Sequence, residues 1–149
     1  MATDRVIENL IHRYAELVDA GDFAGVGALL SHATFAGSGE PVSGAEAIEA
    51  MLRELVVVYE DGTPRTKHLV SNVAVEVDEY GGTASARSSF TVLQALPDLP
   101  LQIVATGTYR DRFERGDGSW WFVERKAGLD LVGDVTRHLR LPAESPKAG

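Results

Sequence analysis

The chain changes its hydrophobic period once, at Asp61-Gly62-Thr63-Pro64, and that change constrains the fold more than any other feature. Before it, apolar residues recur every three or four positions, as they do where a helix buries one stripe. Val6, Ile7, Leu10, Ile11, Tyr14, Leu17 and Val18 form the first such run. After it, apolar and polar residues alternate, the pattern of strands with two unlike faces. Helices first and long strands second is an α+β order, not the alternation of an α/β protein.

The local signals divide each half further. Thr3 or Asp4 can cap the first helix, which ends near Asp19-Ala20-Gly21, where Gly21 supplies the left-handed residue that closes a helix. Asp22 reads as the N-cap of a second helix carrying Phe23, Val26, Leu29 and Leu30. A short strand is expected at Thr34-Phe35. Ser43 with Glu46 three residues on has the spacing of a capping box, opening a third helix through Ile48, Met51, Leu52 and Leu55. Beyond Pro64 a strand begins at His68, with Leu69, Val73, Val75 and Val77 on one parity and His68 and Val70 on the other. Tyr80-Gly81-Gly82 reads as a hairpin turn. Further strands are expected over Thr83–Ala95, Leu101–Arg115 and Trp120–Leu131, the last two joined at Gly116-Asp117-Gly118.

Composition sets the outer limits. A length of 149 residues suits one domain, read here as 1–140, with a flexible tail from Leu141 rich in Pro, Ala, Ser and Gly. The absence of cysteine removes disulfides, thiol catalysis and thiolate metal ligation together. A formal net charge of -8 argues against nucleic acid and anionic membranes as partners, since both need a basic face. The longest apolar run, Leu55 to Tyr59, is too short to span a bilayer, and no signal peptide opens the chain. A cytoplasmic domain is the expectation.

Motifs for familiar cofactors are missing. His12, His32 and His138 have no metal-ligand spacing, and neither Gly25-Val26-Gly27 nor Gly37-Ser38-Gly39 leads into Gly-Lys-Ser/Thr, so no metal and no cofactor is expected. Arg110, Arg112 and Arg115 with Asp111 and Glu114 read as a mixed-charge sheet edge or interface. Two residues invite chemistry. Asp19 is a carboxylate at the negative end of a helix, where it is locally unfavourable, and His68 stands near the start of a strand.

Three strings resemble the SnoaL-like branch of the nuclear-transport-factor-2-like superfamily. Tyr14–Phe23 is similar to the end of its first helix, Thr66–Asn72 to the start of its first long strand, and Tyr109–Arg115 with Gly118–Trp121 to its last hairpin. The resemblance covers Arg5 to about Leu131. It implies a cone-shaped, cystatin-like α+β barrel, a curved antiparallel sheet with three N-terminal helices enclosing an apolar pocket. The superfamily's dehydratases and dehydrochlorinases use an Asp–His pair that matches Asp19 and His68. In such a pair the carboxylate fixes the tautomer of the imidazole, which then removes a proton from carbon.

The resemblance thus implies a cofactor-independent lyase or isomerase of the dehydratase, dehydrochlorinase or polyketide-cyclase type, acting on a small apolar ring compound. His68 and Asp19 would be catalytic, with Tyr14 a possible donor, and Phe35, Leu93 and Tyr109 would line the pocket. The alternative is a non-catalytic ligand binder or the small subunit of a ring-hydroxylating dioxygenase. Departures stand beside the match. Leu93 occupies the place of a second histidine, Gly107 and Tyr109 that of a serine and an asparagine, and no arginine is matched near Gly128 to Asp130. If the polar parity of each strand lines the pocket, then Leu69, Val73, Val75 and Val77, with Phe90 and Val92, form an apolar outer face. A homodimer or higher homo-oligomer through the sheet would cover it.

Overall fold

The structure is a computed structural model and describes residues 2–141. Three helices, α1 (Thr3–Asp19), α2 (Phe23–Leu29) and α3 (Ala45–Leu55), precede four long strands. These are β3 (Thr66–Asp78), β4 (Thr83–Leu96), β5 (Leu99–Gly116) and β6 (Ser119–Val132), with two short strands, β1 (Thr34–Ala36) and β2 (Val42–Ser43), set between α2 and α3. The sheet runs β2-β1-β6-β5-β4-β3, antiparallel except where β1 lies parallel to β6. Its ladder runs from β2 to β3 without closing, so the expected barrel is an open, curved sheet. α1 packs against both β3 and β6, so the sheet bends around it. The tail expected from Leu141 lies, apart from Leu141 itself, outside the described residues.

Most local signals act as read. Gly21 has φ +73°, and a side chain there would also meet the carbonyl oxygen of Gly62 at 2.0 Å, so the turn after Asp19 needs glycine twice over. Asp22 caps α2 by accepting from the Gly25 amide at 2.8 Å. Two caps differ from expectation. α1 starts behind Ala2 with no side-chain cap, and Asp4 accepts from the Arg5 amide instead. Ser43 does not cap α3, because its hydroxyl pairs with Thr34 Oγ1 at 2.8 Å across β1 and β2, and Gly44 (φ +89°) takes the cap position.

The larger correction concerns strand parity. A strand keeps its two faces only while the ladder is regular, and an extra residue on one strand shifts every later side chain to the other face. Between Ser71 and Ala74 the β3–β4 register slips, at Asn72 with φ +54°. His68 and Val70 therefore face the helices before the slip, opposite Val92 and Phe90, and Val75 and Val77 face them after it, opposite Ala86 and Ala84. Phe90 and Val92 are buried in the core, not on an outer face. The apolar outer face expected from strict alternation is thus absent over most of the sheet. Its outer positions carry Thr83, Ser85, Arg87 and Ser89 on β4 and Thr108, Arg110 and Arg112 on β5. Only one end is apolar, where Leu69, Leu101 and Ile103 are 49%, 68% and 59% exposed.

A second slip lies at Val123, where Arg112 faces Glu124 but Phe113 faces Phe122. Phe122 and Arg125 are consequently both buried, though three residues apart. Asp111, read from sequence as part of a mixed-charge edge, turns inward to meet Arg125.

Candidate functional site

Asp19 ends α1 and is drawn in by β3. Its Oδ1 accepts from His68 Nδ1 at 2.6 Å and from the Thr66 hydroxyl at 2.9 Å, and its Oδ2 accepts from the His68 backbone amide at 2.7 Å. Three donors compensate for the poor position of a carboxylate at a helix C-terminus. Burial works to raise the Asp19 pKa, but the side-chain bond from His68, its charge, its amide and the Thr66 hydroxyl outweigh burial and lower it. An ionised carboxylate can only accept, so His68 Nδ1 carries the hydrogen, and in the neutral ring Nε2 is left with the lone pair. The His68 side chain is 7% exposed. A groove of about 490 Å³ between α1 and β3 reaches the pair, and its walls include His12, Glu16 and Lys67. That lining is mixed, since Ala15, Ala20 and Val70 also contribute to it, and is less apolar than the pocket that the resemblance implies.

Deeper in, the sheet's concave side holds a second charged pair. Arg125 donates to both oxygens of Asp111, Nε at 2.9 Å and Nη2 at 3.2 Å, and both side chains are 0% exposed. The guanidinium lies 3.5 Å from the ring centre of Tyr109 and 4.3 Å from that of Tyr14. Burial opposes the charge on Arg125, but the Asp111 carboxylate beside it outweighs burial and raises its pKa. Burial likewise raises the pKa of Tyr14 and of Tyr109, so both phenols keep their hydrogens at neutral pH. Tyr14 stacks on Phe35 at 6.4 Å and meets Tyr109 edge-on at 5.8 Å, and Phe90 lies between Tyr109 and His68, with ring centres 4.4 and 6.3 Å away.

The structure thus joins Asp19 to His68 directly and sets Tyr14, Phe35 and Tyr109 in one aromatic cluster beyond Phe90. Leu93 stands apart. Val92 and Gln94 face the helices, so the residue between them points to the outer side, beside Lys67 and Ile103. Among the described residues no three His, Cys, Asp or Glu side chains are grouped as metal ligands would be.

One residue beside the pair was not singled out as a site residue. After β6 the chain returns as a strap over the sheet's end. Val56 bridges Leu139, the Val57 amide donates to His138 O, and the Tyr59 hydroxyl and Gln94 Nε2 both donate to Arg137 O. The strap carries His138, 4% exposed, edge-on to His68 with ring centres 5.9 Å apart. Burial, then His68, lowers the His138 pKa to about 4 against a weak opposing pull from Asp19. In the unfolded chain the same ring titrates near ~6.5. Its folded pKa is depressed, so its contribution to stability is complete above that value and is lost as pH falls toward 4. Between pH 7 and 5 the wild type is expected to lose about 1–2 kcal/mol more unfolding free energy than His138→Phe. Urea titrations of both proteins at the two pH values measure this, and equal losses would refute it.

The SnoaL-like domain model matches residues 1–126, and the chain belongs to that family. Among solved structures it is similar to a nuclear-transport-factor-2-like protein with a cystatin-like fold from Novosphingobium aromaticivorans, at 24% identity over 85% of this chain and 80% of that one, TM-score 0.69. A candidate scytalone dehydratase from the same organism matches at 20% identity over 99% and 94% of the two chains, TM-score 0.70. The beta subunit of a candidate aromatic-ring-hydroxylating dioxygenase, again from that organism, matches at 19% over 86% and 89%, TM-score 0.66. At these identities the likeness is one of fold. No curated protein matches the chain. No helix among the described residues is long and apolar enough to cross a membrane.

Proposed function

We propose that a domain spanning residues 1–140 is a cofactor-independent lyase or isomerase in which His68 removes a proton from carbon and Asp19 holds the imidazole. The observation that carries this reading is the 2.6 Å contact between Asp19 Oδ1 and His68 Nδ1 in a pair that a groove still reaches. The step balances without a cofactor. Nε2 takes the proton, the electron pair passes to an adjacent carbonyl as an enolate, and a buried phenol, Tyr14 or Tyr109, donates a hydrogen bond to that oxygen. From the enolate a leaving group departs in a lyase, or the proton returns elsewhere in an isomerase. Phe35 and Tyr109 would flank the ring of the substrate, with Val92 taking the place first given to Leu93.

The test is proton exchange, which needs no knowledge of the natural substrate. In D2O the protein should exchange the α-protons of 2-tetralone, a cyclic ketone, faster than buffer does, and His68→Ala should reduce exchange to the buffer rate. Exchange unchanged in His68→Ala removes the mechanism and leaves the reading as a ligand binder or as a dioxygenase small subunit, to which the likeness to a dioxygenase beta subunit is relevant. We further propose a cytoplasmic homo-oligomer paired at the apolar end of the sheet's outer face, where Leu69, Leu101 and Ile103 are exposed. Sedimentation of wild type and Ile103→Asp should then differ in mass, and equal masses would exclude this contact.

A further inference from the structure

Four buried side-chain atoms among the described residues have no hydrogen-bond partner, namely Ser88 Oγ, Gln94 Oε1, Arg125 Nη1 and His138 Nδ1. Folded proteins leave few such atoms, because each one costs about 1–3 kcal/mol when stripped of water without replacement. All four belong to the concave side of the sheet or to the strap that closes it. Ser88 and Gln94 stand on the inward parity of β4, Arg125 is buried inward on β6, and His138 is packed on His68. The outer face, which carries most of the exposed charge, contributes none of them.

Two of the four belong to side chains that the strap ties to one another through the backbone of Arg137. Gln94 Nε2 donates to Pro64 O and to Arg137 O, both at 3.1 Å, and Arg137 immediately precedes His138. Two carbonyl partners identify which end of the amide is nitrogen, so the unpartnered end is the oxygen, which can only accept. His138 stays neutral above about pH 4, so it presents one N–H and one lone pair. A group that satisfies both Gln94 Oε1 and an N–H at His138 Nδ1 must donate one hydrogen and accept another. A hydroxyl does this. A carbonyl or an ether only accepts, and a carbon-bound halogen or a hydrocarbon offers neither function.

We propose that Gln94 and His138 form a recognition site for one hydroxyl group of the substrate, which makes that substrate a hydroxylated ring compound and not a hydrocarbon or a halide. The inference rests on the reading of the Asp19–His68 pair as a ligand site and narrows it. The substrate's hydroxyl donates to Gln94 Oε1 and accepts from His138 Nδ1. With the edge of His138 against His68, that contact fixes the ring near the base.

Binding of three planar probes tests this without turnover. Fluorescence titration with 2-naphthol, 2-methoxynaphthalene and naphthalene is run on wild type, His138→Phe and His138→Asn, with a melt to verify folding of each. The wild type should bind 2-naphthol about tenfold tighter than either other probe, which is the net value of about one or two hydrogen bonds. His138→Phe keeps the ring and loses the nitrogens, so its preference should shrink to within about threefold. His138→Asn keeps a donor near the place of Nδ1 and should recover most of it.

Three outcomes overturn the proposal. One is equal affinity of the wild type for all three probes, as when an ordered water alone satisfies the two atoms. The others are a loss of all three probes together in His138→Phe, which marks the ring as packing only, and no binding of 2-naphthol by the wild type. The proton-abstraction reading fails separately. Exchange on 2-tetralone absent while the hydroxyl preference persists would sink the base and leave the recognition site. Exchange present without the preference would do the reverse.

Discussion

Asp19→Asn is expected to slow proton exchange on 2-tetralone by about 10²–10⁴ while leaving the fold intact. The asparagine oxygen can still accept from the His68 amide or the Thr66 hydroxyl, so the end of α1 stays tied to β3. Its amide, however, now presents hydrogens toward Nδ1. The imidazole answers by moving its own hydrogen to Nε2, the atom that acts as base in the proposed step, and the negative charge that would stabilise the imidazolium is gone as well. In the wild type the lowered pKa of Asp19 keeps the carboxylate ionised at any pH where an imidazole is neutral, so the orienting charge is present throughout the working range. Rates for wild type, Asp19→Asn and His68→Ala at one pH, with melting curves, settle the matter. A loss below about threefold in Asp19→Asn would make the pair structural.

Asp111→Ala is expected to cost about 3–5 kcal/mol of stability, because it leaves the Arg125 guanidinium fully buried and uncompensated. Against a total of roughly 5–15 kcal/mol for a domain, that is enough to unfold a marginal one. The paired replacement Arg125→Met with Asp111→Leu removes both charges and fills similar space, so it should cost far less than Asp111→Ala alone. Some loss should remain, since Met cannot replace the cation–π contacts of the guanidinium with the rings of Tyr14 and Tyr109. Urea unfolding of the three proteins gives the comparison. A cost under about 1 kcal/mol for Asp111→Ala would show that water reaches the site.

The helices and the order of the strands were legible in the sequence because they depend on local chemistry. The stripe from Val6 to Val18, the turn at Gly21, the cap at Asp22 and the hairpins at Gly82 and Gly118 each act within a few residues. The Asp19–His68 pair was legible only through resemblance, since 49 residues separate the two and spacing alone says nothing of a contact across that gap. The face of β3 was misread at its bulge. Counting by twos from His68 turns Val73, Val75 and Val77 outward, and the slip at Asn72 reverses this. A slip of the same kind at Val123 buries both Phe122 and Arg125 on β6. Nothing in a single strand's sequence reports an extra residue, because the irregularity belongs to the ladder with its neighbour. His138 was missed for another reason. It sits on an irregular strap, where no periodicity exists to say which way a side chain turns.

The bulge at Asn72 also bears on how this chain should be matched to its relatives. It lets one strand show a histidine to the groove and three valines to the core from the same side, which a regular strand manages only by changing residue types. A homologue one residue shorter between Ser71 and Ala74 would need the opposite hydropathy pattern on one half of β3 to build the same interior. Gaps placed by maximising apolar agreement along this strand would therefore shift His68 or Val75 by one position. A correct correspondence has to be anchored separately on either side of Asn72, on the bond to Asp19 before it and on the facing alanines of β4 after it.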